Sequence, residues 1–278
     1  MSGLAIALGA ATGIVLGLTG AGGSVIAVPL LMAGFGWSLP QAAPVALIAV
    51  AASAAFGAYG AWRRGIVRYR AASLMGLAGI VVSPAGLCAS RHLPVAVLSL
   101  LFAGVMALVA VRMLRQSLRL PAEAQVVRAA LGSDAETADR HWCRLNPETG
   151  RLVWSPATWL LISAVGIGTG FLSGLLGVGG GFVIVPSLRA LTPLSMQSAV
   201  ATSLMTIAII ATGTVGWSAL GSAALPWAAA PFAGGAVGGM LLARRVAARM
   251  AGAHLEQGFA ALLLVVAAGL AAHALKLV

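Results

Sequence analysis

A chain of 278 residues with 60% hydrophobic and only 8% charged residues, at a mean hydropathy of +1.00, is excluded from the ordinary soluble domains. Its formal net charge of +11 does not point to nucleic acid, because the arginines sit in short segments flanking apolar runs, as in a positive-inside topology signal. Two cysteines, Cys88 and Cys143, lie far apart without C-x-x-C spacing and provide neither a disulfide framework nor a metal site.

Apolar segments of 18 or more residues recur along the chain, each able to cross about 30 Å of hydrocarbon as a helix. They are continuously apolar rather than alternating, which argues against a barrel. Residues 2 to 35 form the first run, broken at Gly20 to Gly23, with a second half-helix expected from near Ser24. Leu4 to Leu16 has no basic segment before it and is expected to be mature structure rather than a signal peptide. A span from about Pro40 to Trp62 stops at Arg63, Arg64, Arg68 and Arg70, which with Trp62 and Tyr69 predict a cytoplasmic interfacial loop.

The third span, about 72 to 90, ends at Arg91 and His92. The fourth begins near Pro94 and runs into Arg112, Arg115 and Arg119, whose spacing keeps them on one helical face suited to anionic headgroups or to a substrate-attracting mouth. Residues 120 to 156 hold Glu123, Asp134, Glu136, Asp139 and Glu148 and predict a polar linker rather than a folded domain. A second broken run covers 157 to 190, followed by spans near 197 to 219, 226 to 246 and 256 to 276.

The two breaks are copies of one another. The stretch from Gly17 to Leu31 recurs from Gly174 to Leu188, 157 residues later, with about half its positions identical, Pro29 and Pro186 among them. Gln41-Ala42-Ala43 and Gln197-Ser198-Ala199 follow the respective breaks. The expected fold is therefore all-α and polytopic, in two homologous halves, each a Gly-broken helical hairpin plus three transmembrane helices. The halves are residues 1–119 and 157–278, joined by the cytoplasmic linker 120–156. Small-residue spacings at Gly9/Gly13/Gly17 and Gly234/Gly238 are expected to line close helix contacts.

A half-helix that starts inside the membrane presents unpaired N–H groups and a positive dipole end, so two such ends meeting at mid-depth make an anion site. Gly22, Gly23, Gly179, Gly180 and Gly181 permit close approach there, and Thr19, Ser24, Thr202 and Ser203 are candidate hydroxyl donors. The competing reading is that these glycines only pack helices and that the hydroxyls bond back to their own turns. Glu256 is either a proton-coupling carboxylate or an interfacial one, and Arg189 either holds an anion or marks a helix end.

Other chemistries fail on specifics. No Lys-Ser/Thr follows either glycine motif, which excludes a P-loop, and the dinucleotide fingerprint lacks its spacing and its acidic partner. His92, His141, His254 and His273 show no metal-ligand spacing, and no Ser/His/Asp set occurs in the apolar spans. Neither an enzyme, nor a cofactor, nor a bound metal is expected.

The paired motifs, Gly20, Gly22, Gly23, Ser24 and Pro29 in one half and Gly177, Gly179, Gly180, Gly181 and Pro186 in the other, resemble the sulfite exporter TauE/SafE family. So do Ala201-Thr202-Ser203-Leu204 and the two halves of about four hydrophobic segments, and the resemblance covers nearly the whole chain. It implies a transporter moving sulfite, sulfoacetate or another organosulfonate across the bacterial inner membrane. It also implies that the motif glycines and prolines frame the pathway, with Thr202 and Ser203 in a small-hydroxyl stretch. The first half departs from the family there, reading Val45-Ala46-Leu47-Ile48.

The function expected is secondary export of a small oxyanion, with uptake of the same anions and a non-transporting scaffold subunit as alternatives. Expected partners are the anion and the lipid bilayer, not nucleic acid, and both a monomer and a homodimer stay open. If each broken run turns at its glycines and returns, all of the 17 Lys and Arg residues except Arg91 and Lys276 fall on the cytoplasmic side. That arrangement predicts inverted repeats with both termini outside.

Overall fold

A peptide group that leaves water for hydrocarbon keeps its hydrogen bond only inside a helix or a closed sheet, and the uncharged stretches of this chain take the helical solution. The computed structural model describes residues 2–19, 23–119, 154–192, 194, 196–219, 227–247 and 264–269. The helices are α1 (Ser2–Thr19), α2 (Gly23–Phe35), α3 (Leu39–Trp62), α4 (Tyr69–His92), α5 (Val95–Arg119), α6 (Pro156–Leu176), α7 (Gly181–Leu191), α8 (Met196–Ala219) and α9 (Ala229–Ala247). Residues 264–269 are also helical. The chain is thus an all-helical polytopic membrane protein, and α3, α4, α6 and α8 are long and apolar enough to cross a bilayer. Residues 120–153 of the expected linker, Glu256 and most of the last span lie outside the described residues, as do the side chains of Arg112, Arg115, Arg119 and Arg189.

Local signals set the ends. Ser155 accepts the Thr158 N–H at 3.2 Å and Pro156 opens α6, while the Gln41 side chain accepts the Ser38 N–H at 3.1 Å where α3 begins. The two broken runs are interrupted where expected, between α1 and α2 and between α6 and α7. The first break is a reversal: a methyl group placed on Gly34, near the end of α2, would run into Leu8, in the first half of α1.

The closest packing joins one half of the chain to the other. Gly9, Gly13 and Gly17 of α1 lie against Phe232, Ala236 and Met240 of α9 in ascending order, so the two helices are parallel. Gly166, Gly170 and Gly174 of α6 lie in the same way against Met75, Gly79 and Ser83 of α4. Each residue of the first set has its counterpart in the second at the 157-residue offset, which also separates the starts of the 24-residue helices α3 and α8. Such contacts need a backbone without side chains between helices: a methyl group at Gly166 would sit 2.5 Å from the Met75 carbonyl oxygen.

Of the sequence-level spacings, Gly9/Gly13/Gly17 pack as expected, but Gly234 and Gly238 do not. Both are exposed with nothing within 4 Å, and their neighbours Gly235 and Gly239 meet the backbone of Ile6 and Ala10 instead. Hydropathy cannot fix the rotation of a helix that is apolar on every side, so the contacting glycines were misassigned by one residue.

Contacts give the remaining directions. Leu47 and Ala51 cluster with Ala211, and Ala61 with Ala201, so α3 and α8 are antiparallel. Gly76 meets Ile209 and Gly213 meets Ile80, making α4 and α8 parallel. Phe35 abuts Trp227 edge-on at 5.9 Å before α3 and α9 begin, and Gly57 meets Met240 farther along both, so these two are parallel. Hence α1, α3 and α9 point one way, and α4, α6 and α8 the other. Tyr59, Trp62, Tyr69, Trp154 and Trp159 gather at one end of this bundle and Phe35, Trp37, Trp217 and Trp227 at the other, two belts of interfacial aromatics.

Candidate functional site

The second glycine break is a tight backbone device that only this residue type can form. Gly177 ends α6 in the left-handed conformation (φ 71°), its N–H bonded to the Ser173 carbonyl at 2.9 Å. Gly179 and Gly180 follow at φ 71° and 67°, and α7 starts on Gly180 as its N-cap. An L side chain resists this conformation, so three of the four predicted glycines of this half are required by the turn itself. Gly181 is the first residue of α7.

The turn is buried and lies deep. Residues 173 to 182 are all buried, and a methyl group on Gly179 would lie 3.1 Å from Val50 and 3.5 Å from Ile207. Each of these stands near the midpoint of a 24-residue helix, α3 or α8, and they are counterparts at the 157-residue offset. The start of α7 therefore lies where the two halves cross. The Val183 N–H is taken by the Gly180 carbonyl at 3.1 Å, whereas the N–H groups of Gly181 and Phe182 precede the first intrahelical bond. Together with the dipole end they present positive potential in a region of low dielectric.

The predicted hydroxyls divide. Ser203 is fully buried on the α8 face that carries Ile207 and Ala211, one turn from Ile207, and donates to the Val200 carbonyl at 2.8 Å. Thr202 donates to the Ser198 carbonyl at 2.6 Å and accepts the Arg68 backbone N–H at 3.1 Å, which ties the α3–α4 connection of one half to α8 of the other. The Nε of Arg68 is buried there with no hydrogen-bond partner among the described residues.

In the first half, Gly20 and Gly22 lie outside the described residues. Thr19 is the last residue of α1, and Gly23 and Ser24 open α2, with side chains likewise outside the description. Helices α2 and α7 touch. Pro29 and Pro186 each stand inside their short helix, where a missing N–H leaves a carbonyl one turn earlier without its usual donor.

Sequence reasoning missed Ser173. It lies on the α6 face that carries Thr169, four residues on, and a methyl group on Gly180 would run into the Thr169 side chain. This face is turned towards the start of α7. The Ser173 hydroxyl is fully buried and has no hydrogen-bond partner among the described residues. Its signal in the sequence was weak: a serine one turn before the first motif glycine, at a place where the first half has Leu16.

Comparison with known proteins agrees with this architecture. A family model described as "Sulfite exporter TauE/SafE" matches residues 5–270. A probable membrane transporter protein of Xylella fastidiosa (strain 9a5c) is 32% identical over 213 residues, covering 76% of this chain and 69% of the relative. Another, from strain Temecula1, is 30% identical over 203 residues, covering 73% and 68%. No solved structure matches.

Proposed function

Because the chain belongs to the sulfite exporter TauE/SafE family and is a membrane transporter, we propose that it carries a small sulfur-containing oxyanion, held at mid-depth on the N-terminus of α7. The observation that supports this reading most is the position of that N-terminus: buried, built on left-handed glycines, and set where α3 and α8 cross. Backbone donors there satisfy several anion oxygens without a buried cationic side chain. Gly177, Gly179, Gly180 and Gly181 form this half of the site and Ser203 lines it. Thr19, Gly20, Gly22, Gly23 and Ser24 supply the matching half, and Thr202 steadies α8 through Arg68.

The opposed helix directions support an inverted repeat, in which α1 and α6 enter from opposite faces of a bacterial inner membrane. Export driven by an ion or substrate gradient fits the absence of any nucleotide-binding motif in the sequence. Purified protein is expected to gain thermal stability from sulfite and sulfonates, and not from alkali cations or sugars. A screen in which a cation stabilises strongly while every oxyanion is silent sinks the proposal. Single cysteines introduced near Ser2 and Val278, after replacement of Cys88 and Cys143, are expected to label only from outside the cell; labelling of both only from the cytoplasm refutes the inverted arrangement.

A further inference from the structure

A hydroxyl inside an apolar helix ordinarily donates to a carbonyl one turn back, because leaving it unpaired away from water costs free energy. Thr169, Thr206 and Thr214 do this here, at 2.6, 3.0 and 2.8 Å. Ser173 does not: its Oγ is buried and unpartnered among the described residues. The residue is fully buried, and its helix face also carries Thr169, against which Gly180, the N-cap of the 11-residue helix α7, is packed. A buried hydroxyl without a partner, beside backbone donors that have no intrahelical acceptor, is a set completed by an acceptor-rich ligand.

From this we infer that Ser173 is a direct ligand-binding residue, donating its hydroxyl proton to one oxygen of the anion while the N–H groups of Gly181 and Phe182 hold others. The inference rests on the proposed anion site and adds to it a side chain and a chemical preference. The ligand oxygen facing Ser173 must offer a lone pair to the hydroxyl proton, and an ionised oxygen does so more strongly than a protonated one. The site is also one-sided: the counterpart in the first half is the buried Leu16, so only one half contributes a hydroxyl at this position.

The test compares Ser173→Ala with the unmodified protein, using sodium sulfite and sulfoacetate as probes in calorimetry and in proteoliposome flux. Loss of a hydrogen bond to a charged ligand is expected to weaken binding about tenfold or more, raising KM in proportion. The fold should be unharmed or steadier, because alanine removes the unpaired group. Thr214→Ala, which removes a satisfied hydroxyl elsewhere on α8, is the control and should leave affinity unchanged. Ser173→Thr, which keeps the donor, should recover part of the affinity. If the unmodified protein binds an oxyanion and Ser173→Ala binds it equally well, this inference falls while the transport reading stands. If the unmodified protein binds no oxyanion, both fall.

Discussion

Gly170→Leu is expected to leave almost no folded protein. A side chain at this position begins on the Gly79 carbonyl group, and backbone, unlike the tip of a flexible side chain, cannot swing aside. Helices α4 and α6 would have to separate along the whole Gly166/Gly170/Gly174 contact, a cost of about 3 kcal/mol or more. The measure is the monodisperse fraction in detergent and its Tm. Gly168→Leu, two residues away on the same helix, faces outward with nothing within 4 Å and should behave like the parent. Equal yields from the two variants would mean that α4 and α6 are not in contact as described.

Gly180→Ala carries the second large effect, and here conformation and sterics are separable. Gly65 has nearly the same left-handed backbone (φ 69° against 67°) but open space around it. Gly65→Ala therefore reports the conformational cost alone, about 1 to 2 kcal/mol. Gly180→Ala adds the overlap of its methyl with Thr169 and displaces the start of α7. The expected result is a lower Tm than for Gly65→Ala and no measurable anion flux per folded molecule. Should Gly180→Ala match Gly65→Ala in both stability and flux, the turn would be a connector and not the seat of the site.

Much of this architecture is legible in the residues because the membrane permits so few alternatives. Gly20 to Gly23 and Gly177 to Gly181 interrupt apolar runs, and an apolar run at membrane depth leaves the helix only for a reason, so both breaks fall where glycine composition puts them. The arginine distribution favoured reversals at the breaks, and the packing of Gly34 on Leu8 agrees with this for the first. Rotation about the helix axis was not legible. Gly234 and Gly235 are equivalent to any hydropathy scale, and only the approach of Ile6 tells them apart. Nor was pairing: nothing local in Thr202 announces that its hydroxyl receives the Arg68 N–H, 134 residues away. Ser173 stayed hidden for a third reason, since a serine among leucines normally satisfies itself within its own turn.

The exchange of partners between the halves has a consequence for how the molecule is made. Translation delivers α4 before α6, and these two can zip together as soon as α6 enters the bilayer. The glycine stripe of α1 has no such early partner. It stays open to lipid until α9, which leaves the ribosome after α2 to α8, arrives to cover Gly9, Gly13 and Gly17. The contacts therefore close in a fixed order, α4 on α6 before α1 on α9, and a nascent chain stalled before residue 229 exposes an unfilled groove for membrane proteases to recognise.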